Sequence, residues 1–242
     1  LEQVIPGVHI RNCEVGNGYE DSVHMPLPEQ IQQLAICIKD DKLLQNGFYG
    51  VGYSQGGHIM RGYLQQFNNP KMKRFISLAG SLAGKYCGPN YKCDEWLTTL
   101  TPEQVYSAEI QNTYSKAGYW RDPYNFELYK EKSISLTYLD NVHHYNQTLK
   151  DNFLSVDKMV LFGSPLDGVI SPWNSAWFGA FINDDKTVYN LTERFEYKQD
   201  LFGLKTLHEM GKIVFIDSKL KHGEYASKEQ FIKEDLAMQL ID

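Results

Sequence analysis

Five residues in the first quarter of the chain limit its fold more than any other feature. Gly52-Tyr53-Ser54-Gln55-Gly56 is a G-x-S-x-G run. The apolar stretch 48–52 leads into it as a strand. Residues 55–67 lead out as a helix, with Ile59, Met60, Tyr63 and Leu64 on one side, and Asn68-Asn69-Pro70 ends that helix. A serine at such a turn sits in strained backbone, its hydroxyl exposed at the carboxyl edge of a sheet. Gly52 and Gly56 are read as the room the chain needs to fold back, a side chain at either being expected to clash. The Gln55 amide then faces the site as an oxyanion donor. The amino end of the helix adds positive potential where negative charge develops.

The rest of the chain supplies a sheet for this turn. Residues 75–79, 159–162 and 213–216 are compact apolar runs without alternation, as in strands buried on both faces of a parallel sheet. Residues 8–10 read as a further short strand after Pro6-Gly7, and 14–28 as a loop. Ile31, Leu34, Ala35 and Ile38 mark a helix that Asn46-Gly47 stops. A last helix is expected from the capping box Ser227-x-x-Gln230, with Ile232, Leu236 and Leu240 buried. Strand and helix alternate at both ends of the chain, which predicts an α/β fold with helices on both faces of a mostly parallel sheet. With the serine turn, this is the α/β-hydrolase pattern. Residues 84–156 show no sheet strand and read as a largely helical insertion over the sheet, within a single domain 1–242.

In that pattern the order along the chain is Ser, then Asp or Glu, then His. Of seven histidines, His222 lies between the last strand and the last helix, whereas His208 precedes that strand. His222 is therefore the expected base. Asp167 follows the strand at 159–162 and is the expected acid, fixing the imidazole tautomer. Asp157 falls at the opposite strand end, and Asp184 and Asp185 lie further on in a polar loop. His143-His144 has no ligand partner at metal spacing, so no metal is expected.

The bulk properties narrow the context. With 242 residues the chain can bury one substantial core. A net charge of −6 gives no reason to expect nucleic acid, and no apolar run is long enough for a transmembrane helix. Cys87 and Cys93 flank a Gly-Pro-Asn turn that could close a small disulfide loop. Asn146 and Asn190 open two N-x-S/T sequons. Together these point toward the secretory pathway.

Several segments resemble the palmitoyl-protein thioesterase family, in register along nearly the whole chain. They are Gly52-Tyr53-Ser54-Gln55-Gly56-Gly57, Ile76-Ser77-Leu78-Ala79-Gly80, Tyr119-Trp120-Arg121-Asp122-Pro123, Ser175-Ala176-Trp177-Phe178-Gly179 and Asp200-Leu201-Phe202-Gly203-Leu204-Lys205. The resemblance implies lysosomal or secreted enzymes that cleave long-chain acyl thioesters from cysteine in proteins or peptides, without a cofactor. It implies Ser54 as nucleophile, Asp167 as acid, His222 as base and the Gln55 amide in the oxyanion hole. It also implies a Cys87–Cys93 disulfide, glycosylation at Asn146, and Trp177 and Phe178 near an acyl groove. The family opens with a strand, a His-Gly loop giving the second oxyanion amide, and a helix. Here the chain enters near the end of that helix, so roughly 30 residues are expected to be absent. Cys37 matches a family cysteine whose partner would fall near Phe67; Cys13 substitutes for it, or both are free thiols. The competing readings are a lipase or esterase acting on oxygen esters, and a non-catalytic lipid or protein binder.

Overall fold

Four parallel strands form the centre of the molecule: β1 (Phe48–Tyr53), β2 (Met72–Leu78), β3 (Lys158–Gly163) and, after a small antiparallel pair β4 (Ala180–Phe181) and β5 (Val188–Tyr189), β6 (Ile213–Asp217). Their spatial order is β1-β2-β3-β6. The computed structural model describes residues 1–93 and 95–241. Register matters most for function: Tyr53 pairs with Leu78, Leu78 with Phe162, and Gly163 with Asp217. All four strands therefore end level. The segments that leave them, beginning at Ser54, Ala79, Ser164 and Ser218, emerge side by side along one edge.

Successive side chains of a strand point to opposite faces, and both faces here are apolar. Phe75, Met159, Leu161 and Ile213 belong to one core, shared with Leu34 and Ile38 of α2 (Leu27–Asp40), which follows α1 (Tyr19–His24), and with Tyr63 and Leu64 of α3 (Gln55–Gln66). Ile76, Leu78, Val160 and Phe162 face the other way, toward Leu220, Tyr225, Phe231 and Leu236. Cover on both faces explains why these strands read as unbroken apolar runs.

Between β2 and β3 lie short helices: α4 (Pro102–Val105), α5 (Ala108–Gln111), α6 (Phe126–Lys132), α7 (Leu136–Leu139) and α8 (Gln147–Leu154), with 3-10 turns that include Ser115–Tyr119. After β5 come α9 (Phe195–Lys198) and α10 (Leu204–Glu209). A buried set of charges joins these parts to α3. Arg61 of α3 donates to Asp140 Oδ1 at 2.6 Å, and Arg194 donates to Asp140 Oδ2 at 2.8 Å. Arg121 donates to Glu196 at 2.8 Å. The Arg61 guanidinium also lies 4.4 Å from the Phe202 ring centroid.

Cys13 is bonded to Cys37, which ties the N-terminal loop to α2, and Cys87 is bonded to Cys93. The Cys87–Cys93 loop rests on Asp185, which accepts from the Asn90 and Tyr91 amides, the Asn90 side chain and the Tyr124 hydroxyl.

Three local expectations are corrected. Residues 14–28, read as a loop, hold α1 and the start of α2. Residues 8–10 form no strand, and Ile10 is 41% exposed; apolar composition there is not matched by a pairing partner among the described residues. The capping box at Ser227 does not form: the Ser227 hydroxyl donates to Gly223 O, and the Gln230 side chain donates forward to Glu234 rather than back to the Ser227 amide. The terminal helix is wound as a π-helix over Phe231–Leu236 and a 3-10 turn over Ala237–Gln239. Its i→i+5 spacing turns Phe231 and Leu236 inward, while Ile232 and Leu240 are only partly buried.

Candidate active site

Ser54 continues the sheet by one residue, its amide donating to Leu78 O at 2.9 Å, before the chain turns into α3. Its φ of 54° and ψ of −124° are strained for a residue with a side chain. The space for this turn comes from Gly52 and Gly57. A Cβ on Gly52 would lie 2.4 Å from Gly56 O, and one on Gly57 would lie 2.9 Å from both Gly80 Cα and Ser77 Oγ. Gly56 is a correction to the expectation, since a Cβ there meets nothing within 4 Å. The tight contact passes through its backbone oxygen, not through its Cα substituent.

The three residues expected to act together are together. His222 Nε2 lies 2.9 Å from Ser54 Oγ, and His222 Nδ1 lies 2.8 Å from Asp167 Oδ2. With the imidazole proton on Nδ1, that N–H donates to Asp167 and the serine hydroxyl donates to Nε2. Asp167 and His222 are 4% and 8% exposed. The second Asp167 oxygen accepts from the Val169 and Ile170 amides at 3.0 and 2.7 Å, so its carboxylate has partners on both oxygens. The His222 amide donates to Asp167 O at 2.9 Å, joining the two loops through backbone as well. In such a series the imidazole takes the serine proton as the hydroxyl attacks, and the carboxylate stabilises the resulting imidazolium.

Further residues fix the histidine loop. The Tyr53 hydroxyl donates to His222 O at 2.7 Å, and the two rings lie 5.1 Å apart. Burial, and then the Asp167 charge, raise the Tyr53 pKa, which keeps that hydroxyl a donor. Tyr225 and Ser218 share a 2.6 Å hydrogen bond, and burial pushes the Tyr225 hydroxyl up to about 12.

Gln55 opens α3, so its backbone N–H has no acceptor within the helix. Its side chain is held from four directions. Nε2 donates to Ser22 O at 2.8 Å and to Gln30 Oε1 at 3.1 Å. Oε1 accepts from Ser115 Oγ at 3.1 Å and from the Tyr119 hydroxyl at 3.3 Å. Ser54, Gln55, Gln30 and Tyr119 line a cavity of about 980 Å³ that also takes in Lys116 and apolar side chains such as Leu34 and Ile59. Gln30, Ser115 and Tyr53 had no assigned role from sequence. Tyr119 stood within a quoted motif without one. Tyr53 had a usable signal, because it immediately precedes the serine in the turn.

Other expected residues lie elsewhere. Phe178 is a correction: its ring is fully buried against Phe153 and Phe202, and it does not line the cavity at Ser54. It ends a 3-10 turn at φ 61°, which directs the side chain into the core. Trp177 also lies outside that cavity; its indole N–H donates to Leu161 O at 3.0 Å, and its ring meets Trp173 and Phe215. His208 Nδ1 bonds the Tyr197 hydroxyl. Asn190 is exposed, and Asn146 caps α8 through Thr148 N. Among the described residues, no three His, Cys, Asp or Glu side chains could hold a metal ion, and no helix is long and apolar enough to cross a membrane.

A parallel sheet whose first strand feeds a strained serine turn and helix, with aspartate and histidine following later strands, defines an α/β-hydrolase. The family model for palmitoyl protein thioesterase matches residues 1–222, and the chain belongs to that family of hydrolases. Palmitoyl-protein thioesterase 3 of Dictyostelium discoideum is 33% identical over 227 residues, covering 93% of this chain and 78% of that protein. Palmitoyl-protein thioesterase 1 of Caenorhabditis elegans is 34% identical over 227 residues, 90% of this chain and 76% of that one. The human protein named lysosomal thioesterase PPT2 is 33% identical over 224 residues, 88% and 72% of the two chains. A solved bromoperoxidase from Bacillus anthracis overlaps 96% of this chain and 80% of its own at 13% identity and a TM-score of 0.45, too loosely to carry an argument.

Proposed function

We propose that the chain is a serine thioesterase that removes long-chain fatty acyl groups, such as palmitoyl, from cysteine in S-acylated proteins or peptides. The observation that carries the reading is the unbroken series Ser54–His222–Asp167 in a member of this family. His222 takes the proton of Ser54 as Oγ attacks the thioester carbonyl. The oxyanion rests on the Gln55 amide. The C–S bond breaks, the thiolate sulfur takes the proton from His222, and an acyl-Ser54 ester remains. Water, giving its proton to His222, attacks that ester; the ester C–O bond breaks, Ser54 Oγ takes the proton back from His222, and the fatty acid leaves. The names of the relatives support the thioester substrate, and that of the human relative a lysosomal setting. The two disulfides fit that setting, and Asn146 and Asn190 are its glycosylation candidates. We read residues 1–242 as one domain, with 84–156 as a lid-like insertion.

The test is labelling of the purified protein with a fluorophosphonate, beside hydrolysis of a palmitoyl thioester and a matched oxygen ester. Label on Ser54 and thioester turnover, both lost in Ser54→Ala, support the reading. Label without thioester turnover, with the oxygen ester cleaved, would replace it by an esterase.

A further inference from the structure

We propose that Ser115 and Tyr119, from the segment between β2 and β3, are positioning residues for the oxyanion amide, acting through the Gln55 side chain. The inference rests on the reading of Ser54 as nucleophile. A primary amide offers two donors and two acceptor sites, and at Gln55 all four are engaged by three separate segments. Ser22 O belongs to α1, Gln30 Oε1 to α2, and the Ser115 and Tyr119 hydroxyls to the insertion. Gln30 is itself fixed, donating to Met25 O at 2.7 Å and Ser22 O at 3.2 Å. Gln30 and Ser115 are 1% exposed and Tyr119 is 5% exposed, so water competes little for these bonds. Burial also raises the Tyr119 pKa, so its hydroxyl stays a donor.

This anchorage sits where it has mechanical effect. The Gln55 N–H direction is set by the peptide plane between Ser54 and Gln55, immediately after the strained Ser54 backbone. Fixing the Gln55 side chain fixes its Cα, and with it that plane. An oxyanion donor is effective because it needs no reorganisation when charge develops. The hydroxyls of the insertion thus bear on the transition state without touching substrate.

Ser115→Ala, Tyr119→Phe, the double variant and Gln55→Met are compared on folded protein by three readouts. These are kcat and KM for a palmitoyl thioester, the Kd of an alkyl trifluoromethyl ketone, and the Kd of a non-hydrolysable thioether analogue. The ketone adds to Ser54 as a hemiketal anion and needs the oxyanion donors, whereas the thioether reports ground-state binding. Loss of a whole donor costs about 10²–10³ in rate, so a misaligned one is expected to cost roughly 10- to 100-fold. The double variant should lose that factor in kcat and in ketone affinity alike, keep its KM and thioether Kd, and gain no further loss when Gln55→Met is added. Unchanged kcat and ketone affinity in the double variant would overturn the proposal. Parallel loss of ketone and thioether binding would also overturn it, by showing that the residues only shape the cavity. If the wild type forms no hemiketal, or Ser54→Ala still turns over, the nucleophile reading itself fails. Tyr119→Phe removes a single oxygen and serves as the test if the larger changes do not fold.

Discussion

The Tyr53 hydroxyl donates to the backbone carbonyl of His222 at 2.7 Å, so the residue before the proposed nucleophile holds the proposed base. Strand β1 and the loop after β6 are far apart in the chain and in the sheet order, yet this contact closes the site between them. Tyr53→Phe keeps the ring against the imidazole and deletes only the hydrogen bond. A neutral hydrogen bond contributes about 0.5–1.5 kcal/mol. The variant should therefore lose up to about tenfold in kcat with KM unchanged, and a comparable amount of stability by urea unfolding. Equal activity would mean that the loop is fixed without it.

Asp167 has one oxygen on His222 and the other on two backbone amides. Asp167→Asn replaces the carboxylate with a group that cannot stabilise the imidazolium and favours the wrong tautomer. A fall of about 10⁴ in kcat is expected, by analogy with the same change in serine proteases. Steady-state kinetics on folded protein checks it.

The glycines of the turn separate cleanly. Gly52→Ala forces a Cβ to within 2.4 Å of Gly56 O, whereas Gly56→Ala meets open space. Gly56→Ala should fold and label with fluorophosphonate as the wild type does. Gly52→Ala should lose labelling or soluble yield. Labelling of both variants at the wild-type rate would contradict the geometry.

Asp140 bridges Arg61 and Arg194, and all three side chains are fully buried. Removing one partner of a buried ion pair costs about 3–5 kcal/mol, because the other charge is stranded. Asp140→Ala strands Arg61 and leaves Arg194 with Glu196 at 3.3 Å as its remaining acid, and should lower stability by about that range, read as a loss of urea midpoint or of soluble protein.

Burial works to raise the Asp185 pKa, but hydrogen bonds from Asn90, Tyr124 and Tyr91 outweigh it and hold the carboxyl at about 2, against 3.8 ordinarily. The folded value lies below the unfolded one. The stabilisation is therefore complete above about pH 4 and is lost as pH falls toward 2. It amounts to about 2 kcal/mol. Asp185→Asn should be less stable than the wild type by about that much at pH 5–7. The difference should shrink below pH 4, as followed by urea unfolding across pH.

Sequence carried the frame of the site because its signals are local. An apolar run, a G-x-S-x-G turn and an amphipathic stripe are each set by neighbouring residues, and chain order then placed Asp167 and His222 at strand ends. Contacts between distant segments were not legible. Nothing near Gln55 in the sequence announces that Ser22, Gln30, Ser115 and Tyr119 converge on it. Cys13 was one of two open possibilities for Cys37 until the loop was seen lying along α2. Phe178 misled because proximity to Asp167 in sequence says nothing of direction, which its positive φ decides. Ser227 misled because the Gln230 side chain that would complete its box pairs with Glu234 instead.

The most direct test of the account is single-turnover reaction of the protein with a palmitoyl thioester, quenched in acid and analysed by mass spectrometry of its peptides. The account predicts a transient palmitoyl ester on Ser54 that decays as fatty acid appears, and that persists in a variant impaired in deacylation. Thioester turnover with no acyl group on Ser54, or undiminished turnover by Ser54→Ala, would contradict it.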